Sequence, residues 1–211
     1  MEIIPNISID CVLFAFDEEA LKLLLIKRDK EPRKGKWALP GGYVGLSEAI
    51  DHAASRILGE LTGVHNLFLS QVGLFGDPDR YPTHRVISMM YCALVAAEDL
   101  ELLAGSYASE VRWFLLDEIG ELPFDHSSMV QLALNWLKDH SWDKEVLQNL
   151  LPEKFPLNQM QTLIESILQQ EMDNRNFRKK MMNADWVERL DEKTSGGKQR
   201  PAYLFRMKSE E

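Results

Sequence analysis

The sequence predicts an α+β protein in which a layered domain of strands and single helices is followed by a smaller domain of two helices and a β-hairpin. Over residues 1–151, strand-like apolar segments are interspersed with single amphipathic helices. Over residues 152–211, two helical segments precede two strand-like segments. Charge divides the chain at nearly the same place. Residues 1–152 hold 13 Lys and Arg against 23 Asp and Glu, whereas residues 153–211 hold 11 against 10.

The sheet of the first domain is predicted from six apolar runs rich in β-branched and aromatic residues. These runs cover residues 7–16, 21–27, 37–44, 67–75, 86–96 and 111–115. The first two form an antiparallel hairpin around the turn at Asp17–Glu19. The third is interrupted by Pro40-Gly41-Gly42, a turn signal.

Two amphipathic helices are predicted in the same domain, over residues 47–61 and 127–138. In the first of them, Ser47 is the expected N-cap and Gly63 the residue that ends the helix. Pro152 and Pro156 then act as a helix stop and a helix start, which predicts a domain boundary after residue 151.

The second domain, residues 152–211, begins with an amphipathic helix over 157–169. After a short turn, Asp173 is the predicted N-cap of a second helix, 174–183, which buries Phe177 and Met181. Two strands, 186–190 and 202–207, enclose the hairpin tip Ser195-Gly196-Gly197. Helix, turn, basic helix and hairpin in this order predict a winged helix-turn-helix domain.

Several classes of protein are excluded by composition. No apolar run approaches the ~18 residues of a membrane helix, and the N-terminus lacks the features of a signal peptide. Cys11 and Cys92 lie in separate strand-like runs, so two buried free thiols are expected rather than a disulfide or a metal site. Together these observations predict a cytoplasmic protein.

Residues 42–64 match a spaced pattern of glycine, charged and aliphatic residues, preceded by Trp37-Ala38-Leu39-Pro40-Gly41. The matching positions are Gly42, Glu48, Arg56, Leu58, Glu60, Gly63 and Val64. This segment resembles the Nudix box, and the resemblance implies that residues 1–151 have the Nudix fold, an α/β/α sandwich with a mixed sheet.

Two departures from the box bear on activity. Active members have glutamates where this chain has Ile57 and Leu61, and these carboxylates hold the Mg²⁺ that activates water. Glu60 alone remains as a weak metal candidate, and it also fits an ion pair with Arg56, near Glu48. We therefore expect hydrolysis to be lost or impaired and no cofactor to be required. The alternative is an active Mg²⁺-dependent Nudix hydrolase that cleaves a nucleoside-diphosphate sugar such as ADP-ribose.

A Nudix cleft without its carboxylates remains able to bind a ligand. The segment Phe75–Arg80 resembles a loop of Nudix-related transcriptional regulators, in which arginines hold phosphates and aspartates accept sugar hydroxyls. The predicted effector-binding residues are Gly41, Gly42, Asp77, Asp79, Arg80 and Arg85. The alternative interpretation is a turn with solvated charges.

The second domain carries its basic residues mainly between Arg175 and Arg206, where nine Lys and Arg face four Asp and Glu. Residues 173–180 resemble the recognition helix of Nudix-related transcriptional regulators, and residues 155–167 resemble the segment before it. The predicted DNA contacts are Arg175, Asn176, Arg178, Lys179, Lys198 and Arg200. A solvated basic surface is the alternative.

The resemblance to this regulator family covers nearly the whole chain. The family includes ADP-ribose-sensing repressors of NAD metabolism and sugar-responsive regulators of arabinose use, and residues 56–63 look more like the sugar-responsive branch. The resemblance implies a bacterial homodimer that binds a double-stranded DNA operator and a small effector, either a pentose or a molecule like ADP-ribose.

Overall fold

The protein is described by a computed structural model that covers residues 2–17, 19–65, 67–96, 102–105, 108–194 and 201–208. Its strands are β1 (Ile3–Phe16), β2 (Leu21–Arg28), β3 (Trp37–Ala38), β4 (Gly41–Gly45), β5 (Phe68–Phe75), β6 (Ile87–Ala96), β7 (Ala108–Leu115), β8 (Phe155–Pro156), β9 (Val187–Lys193) and β10 (Tyr203–Met207). Its α-helices are α1 (Ile50–Thr62), α2 (His126–Asp139), α3 (Lys144–Leu150), α4 (Leu157–Leu168) and α5 (Asn174–Met182).

Strands β1 to β7 form one mixed sheet with the central order β3-β2-β1-β6-β5. β4 extends the sheet beside β1, and β7 pairs with β2. The pair β1 and β6 is parallel, and the other pairs are antiparallel. Helix α1 covers one face and α2 and α3 cover the other, so the predicted α/β/α sandwich is confirmed.

The two faces of the sheet have separate apolar cores. On the α1 face, Ile9 and Cys11 of β1 pack against Ile57 and Leu61. On the opposite face, alternate residues of β1 join a cluster that includes Cys92. Both cysteines are buried free thiols, as expected.

The second domain is a winged helix, as predicted. α4 and α5 pack on a three-stranded sheet of order β8-β10-β9. Asp173 caps α5, because its carboxylate accepts a hydrogen bond from Asn176 N at 2.8 Å. Phe177 and Met181 are buried beneath the helix. The hairpin tip at residues 195–197 lies outside the described residues.

The winged helix shares its apolar core with the Nudix domain. The cluster beneath α2 continues through Leu147 and Leu150 of α3 to Ile164 of α4, and it reaches Phe177 and Phe205. Because this contact is apolar and continuous, the two domains pack as neighbours within one core rather than as units joined by a linker. The predicted boundary after residue 151 falls between α3 and β8.

The structure differs from the sequence analysis in one predicted helix start and in two elements that were not predicted. α1 begins at Ile50 without a side-chain cap from Ser47, because Glu48 accepts a hydrogen bond from Gly45 N at 2.6 Å and closes a turn there. α3 was not predicted, since it has only seven residues. The two-residue strand β8 was also missed, because it is defined only by its pairing with β10. Gly63 ends α1 in the left-handed conformation at φ 76°, as predicted.

Candidate functional site

The polar residues of the Nudix box form an ion-pair cluster at the edge of α1. Arg56 donates to Glu48 at 2.6 and 2.9 Å, to Glu60 at 3.0 Å and to the carbonyl oxygen of Tyr43 at 3.1 Å. The hydrogen bonds from Arg56 lower the pKa of Glu48 to about 2. Both glutamates are thus engaged in attaching α1 to the turn that precedes it.

The two departures from the box are part of the apolar core. Ile57 and Leu61 are 2% and 4% exposed, and a Cβ added to Gly42 would lie 3.3 Å from the Ile57 side chain. Within the described residues, no group of three or more His, Cys, Asp or Glu side chains is arranged to hold a metal ion. The box residues present here therefore do not fit Mg²⁺, because Glu60 is the one that remains of the three helix glutamates, and both Glu60 and Glu48 are paired with Arg56.

The opposite face of the sheet contains a buried charge network around Arg80, whose side chain is only 4% exposed. Arg80 donates to both carboxylate oxygens of Asp125, each at 2.8 Å, and to Asp10 Oδ2 at 3.1 Å. Burial opposes the charge of Arg80, but the hydrogen bonds and charges of the two carboxylates outweigh it and raise its pKa. Ser88 donates to Asp10 Oδ2 at 2.6 Å and completes the network.

His126, the first residue of α2, lies against this network as a neutral imidazole. Burial lowers the pKa of His126, despite the neighbouring Asp10 and Asp125. Its Nδ1 accepts a hydrogen bond from Leu39 N at 3.0 Å, so the proton is assigned to Nε2, which faces Asp10 Oδ1 at 3.6 Å. The N-terminus of α2 is thereby attached to β1, to the residue before Pro40 and, through Asp125, to Arg80.

Two adjoining cavities open beside the network. The wide cleft has a volume of about 890 Å³ and includes Trp37, Phe75 and the loop before α2. The small pocket has a volume of about 80 Å³ and is lined by residues of β1, β4 and the loop before β6. Arg80 and Phe124 line both cavities, so one elongated ligand can reach from one into the other.

A basic segment borders both cavities. Residues 27–36 contain six Lys and Arg and two acidic residues, within a domain that is acidic as a whole. Arg33 and Lys36 line the wide cleft. Arg28 lines the small pocket, donates through Nε to Pro32 O at 2.9 Å and lies over the Phe124 ring.

The predicted effector residues are divided between these cavities. Gly41 and Gly42 line the small pocket, Asp77 and Asp79 line the wide cleft, and Arg80 lines both while paired to two carboxylates. The remaining residue, Arg85, is exposed and, in the part of the chain described, lines neither cavity.

Sequence reasoning missed Asp10, Asp125, His126 and the basic segment. One signal was available, since Asp10 is an acid within the apolar run Ile7–Phe16, and a buried carboxylate requires a partner.

Helix α5 presents the basic residues of the winged helix. Arg175, Asn176, Arg178 and Lys179 are exposed on the side away from the buried Phe177. Among the described residues, none of the three cations has a carboxylate partner. The other two predicted contacts, Lys198 and Arg200, lie outside the described residues.

The fold and these sites define a protein with a Nudix domain joined to a winged helix-turn-helix domain. Residues 5–133 match the family model of the NUDIX domain, and residues 147–207 match that of the NrtR DNA-binding winged helix domain. The chain belongs to the Nudix family, in its group of Nudix-related regulators with an NrtR-type winged helix.

Individual relatives match nearly the whole chain. The ADPR responsive transcriptional repressor NtrR of Acinetobacter baylyi is 31% identical over 206 residues, covering 96% of this chain and 82% of that protein. The crystal structure of Shewanella oneidensis NrtR complexed with a 27mer DNA has a TM-score of 0.84 at 27% identity, covering 96% of this chain and 93% of that one.

A third comparison is limited to the first domain. The cocrystal structure of the NUDIX domain of Shewanella oneidensis NrtR complexed with ADP ribose has a TM-score of 0.58 at 26% identity. The match covers 63% of this chain and 88% of that one.

Proposed function

We propose that this protein is a DNA-binding transcriptional repressor whose affinity for its operator responds to ADP-ribose. The observation that carries the proposal is α5, a capped helix that holds four cations and no acid. Its Arg175, Arg178 and Lys179 are exposed and have no ion-pair partner among the residues that the structure describes. Cations fixed on one face of a recognition helix bind phosphates and base edges in the major groove. We assign Asn176 and Arg178 to base edges and the neighbouring cations to phosphates.

ADP-ribose, rather than a pentose, is the effector we propose. The A. baylyi relative is named for its response to ADPR, and the S. oneidensis NUDIX domain was crystallised with ADP ribose. The cavities suit that molecule. Arg33 and Lys36 at the wide cleft and Arg28 at the small pocket can bind a diphosphate. Trp37 and Phe75 offer apolar surface for a base in the wide cleft.

Binding without hydrolysis is part of the proposal, as is the absence of a required metal. Ile57 and Leu61 place apolar side chains in the positions of two metal-binding carboxylates, and Glu60 is paired with Arg56. The Mg²⁺-dependent hydrolase remains an outcome of the test. Steady release of AMP from ADP-ribose in the presence of Mg²⁺ would favour the hydrolase over the proposed non-hydrolysing regulator.

The assembly we propose is a homodimer that reads two half-sites of a double-stranded operator. Residues 1–151 would form the effector-binding unit and residues 152–211 the DNA-binding unit. A cytoplasmic location, where the operator lies, is part of the same proposal. In the described chain, no helix is both long and apolar enough to cross a membrane.

The DNA-binding proposal is tested by replacing Arg178 and Lys179 together with Ala. We expect affinity for DNA from upstream of the protein's own gene to fall at least tenfold, measured by fluorescence anisotropy. With Lys179 on a phosphate and Arg178 on a base edge, the slope of log K against log salt should also fall by about 1 per subunit, because each phosphate contact releases about one counterion. A fall of about 2 would place both residues on phosphates.

The matched control removes two other cations of the same domain, Lys154 and Arg206, which pair with Glu192 and Glu188. This Lys154→Ala, Arg206→Ala variant has the same net charge as the test variant. Equal DNA binding by the two variants would place the interface elsewhere. For the wild-type protein, ADP-ribose should shift DNA affinity roughly 5- to 150-fold.

A further inference from the structure

The small pocket contains a buried hydroxyl with an unused hydrogen-bonding capacity. Ser8 is 9% exposed, and its Oγ is the buried side-chain polar atom without a hydrogen-bond partner in the described part of the chain. Leaving a buried polar group unpaired is unfavourable, so nearly all such groups in folded proteins have a partner. The pocket therefore contains a group that a bound ligand can satisfy.

Ser8 and Asp10 point into this pocket from the same face of β1. Residues two apart on one face of a strand lie roughly 6.6 Å from each other, at about 3.3 Å per residue. Gly41 pairs with Asp10 on the neighbouring strand β4, and a Cβ at Gly41 would overlap Asp10 Oδ1. Asp10 Oδ1 therefore lies against the Gly41 backbone, in space that a side chain at position 41 would fill.

One oxygen of Asp10 is free to accept from a ligand. Its Oδ2 accepts from Ser88 and Arg80 at 2.6 and 3.1 Å. The neighbour of Oδ1 is His126 Nε2 at 3.6 Å, which is longer than a hydrogen bond. The pocket thus offers one carboxylate oxygen and one hydroxyl, between walls that include the rings of Tyr43 and Tyr81.

This chemistry selects neutral hydroxyl groups. The Asp10 carboxylate repels a phosphate, accepts from an O–H group and leaves Ser8 to accept or donate to a second one. A vicinal diol on a sugar ring supplies two such hydroxyls side by side, and the tyrosine rings can pack on the apolar face of the sugar.

We infer that the small pocket binds the vicinal hydroxyls of the terminal ribose of the effector, an inference that rests on the proposed function. The volume of about 80 Å³ accommodates the hydroxyl-bearing edge of one sugar ring. The ribose of the adenosine half carries a base and a phosphate and does not fit this space. The diphosphate then lies beside Arg28 and Arg33, and the adenosine occupies the wide cleft.

The test compares ADP-ribose with ADP, which lacks the terminal ribose, by isothermal titration calorimetry on the full-length protein. The wild type should bind ADP-ribose at least tenfold more tightly than ADP. Ser8→Val fills the pocket and should abolish this preference while leaving the affinity for ADP unchanged. Ser8→Ala removes one hydrogen bond and should reduce the preference about fivefold, without lowering Tm, because the hydroxyl is unpaired in the free protein.

Cys11→Ala is the matched control on the same strand. Cys11 is buried on the α1 face, so its substitution should lower Tm and leave the preference for ADP-ribose intact. If Ser8→Val weakens ADP and ADP-ribose equally, or changes neither, the assignment of the pocket is wrong. If the wild type binds the two nucleotides equally, this inference alone fails. If it binds neither, the proposed function fails as well.

Discussion

The two faces of the Nudix sheet are formed by the same strands, but they place their charged residues differently. On the α1 face, Ile57 and Leu61 are buried. The charged residues of the box lie at the edge of α1, where Arg56 bridges Glu48 and Glu60. On the α2 face, the charges are inside, because Arg80, Asp10 and Asp125 pair beneath two cavities. The α1 face, which holds the two positions where the box departs from its pattern, is a structural core, and the opposite face carries the features of a binding site.

The α2 face is also the face that packs against the winged helix. Asp125, at the N-cap position of α2, gives its carboxylate to Arg80 instead of to the helix N-terminus. α2 packs on α4, and the turn after α2 contacts α5. In that turn, Trp142 lies 6.2 Å from the Phe177 ring, and Lys180 Nζ lies 3.1 Å from the centroid of the Trp142 ring. We propose that α2 couples the cavities to the DNA-binding helix.

The largest expected effect comes from making the same substitution on the two faces. Arg80→Met leaves two largely buried carboxylates without a cation and should lower the free energy of unfolding by about 3–5 kcal/mol. Arg56→Met removes ion pairs at the edge of α1 and should cost about 1 kcal/mol. Urea denaturation measures both losses. Similar values would contradict the contrast between the faces.

Restoring a carboxylate to the box is the second prediction. Ile57→Glu puts an unpaired charge against Gly42 in the apolar core and should destabilise the protein by about 3 kcal/mol. Ile57→Val is the control and should cost about 1 kcal/mol. Mg²⁺ should neither raise the Tm of the Glu variant nor produce hydrolysis of ADP-ribose. Either effect of Mg²⁺ would show that the α1 face still holds a metal site.

The coupling through α2 is tested at Trp142. Trp142→Leu removes the ring contacts with Phe177 and Lys180, so we expect DNA affinity to fall about fivefold while the affinity for ADP-ribose is unchanged. Trp136→Leu makes the same change where α2 stacks on Phe68 and His140. It should lower stability and leave DNA affinity unaltered. If both variants bind DNA as the wild type does, the turn does not position α5.

The smallest effects concern pH, and they separate the two faces. His126 has a lowered pKa, so the unfolded chain takes up a proton that the folded protein does not, and stability decreases as the pH falls below about 6.5. Glu48 has a pKa of about 2, so its contribution is present above about 4.5 and decreases as the pH falls towards 2.

Two variants test whether His126 and Glu48 cause the loss of stability in these two pH ranges. His126→Gln should flatten the pH dependence of unfolding in the higher range and Glu48→Gln in the lower one, both measured by urea denaturation. An unchanged profile in either variant would remove that residue from the explanation.

Much of the fold and part of the site could be predicted because their signals are local. The spacing of Glu48, Arg56 and Glu60 predicted their ion pairs, and the position of Asp173 before a basic amphipathic segment predicted its cap. The role of Arg80 was not predictable in the same way. Its partners lie 70 and 45 residues away, so the sequence of the loop did not indicate its burial between two carboxylates. Its predicted contact with an effector stays a prediction.

By itself, the sequence determined the order of the two domains, the loss of two box carboxylates and the concentration of cations on α5, because helical period, fixed motif spacing and charge are properties of neighbouring residues. Only the tertiary structure decided which face of the sheet is sealed and which is open. It brought Asp10, Arg80 and Asp125 together and left Ser8 unpaired beside Asp10. Such contacts arise where distant segments pack together, and no local pattern encodes which partners will meet there.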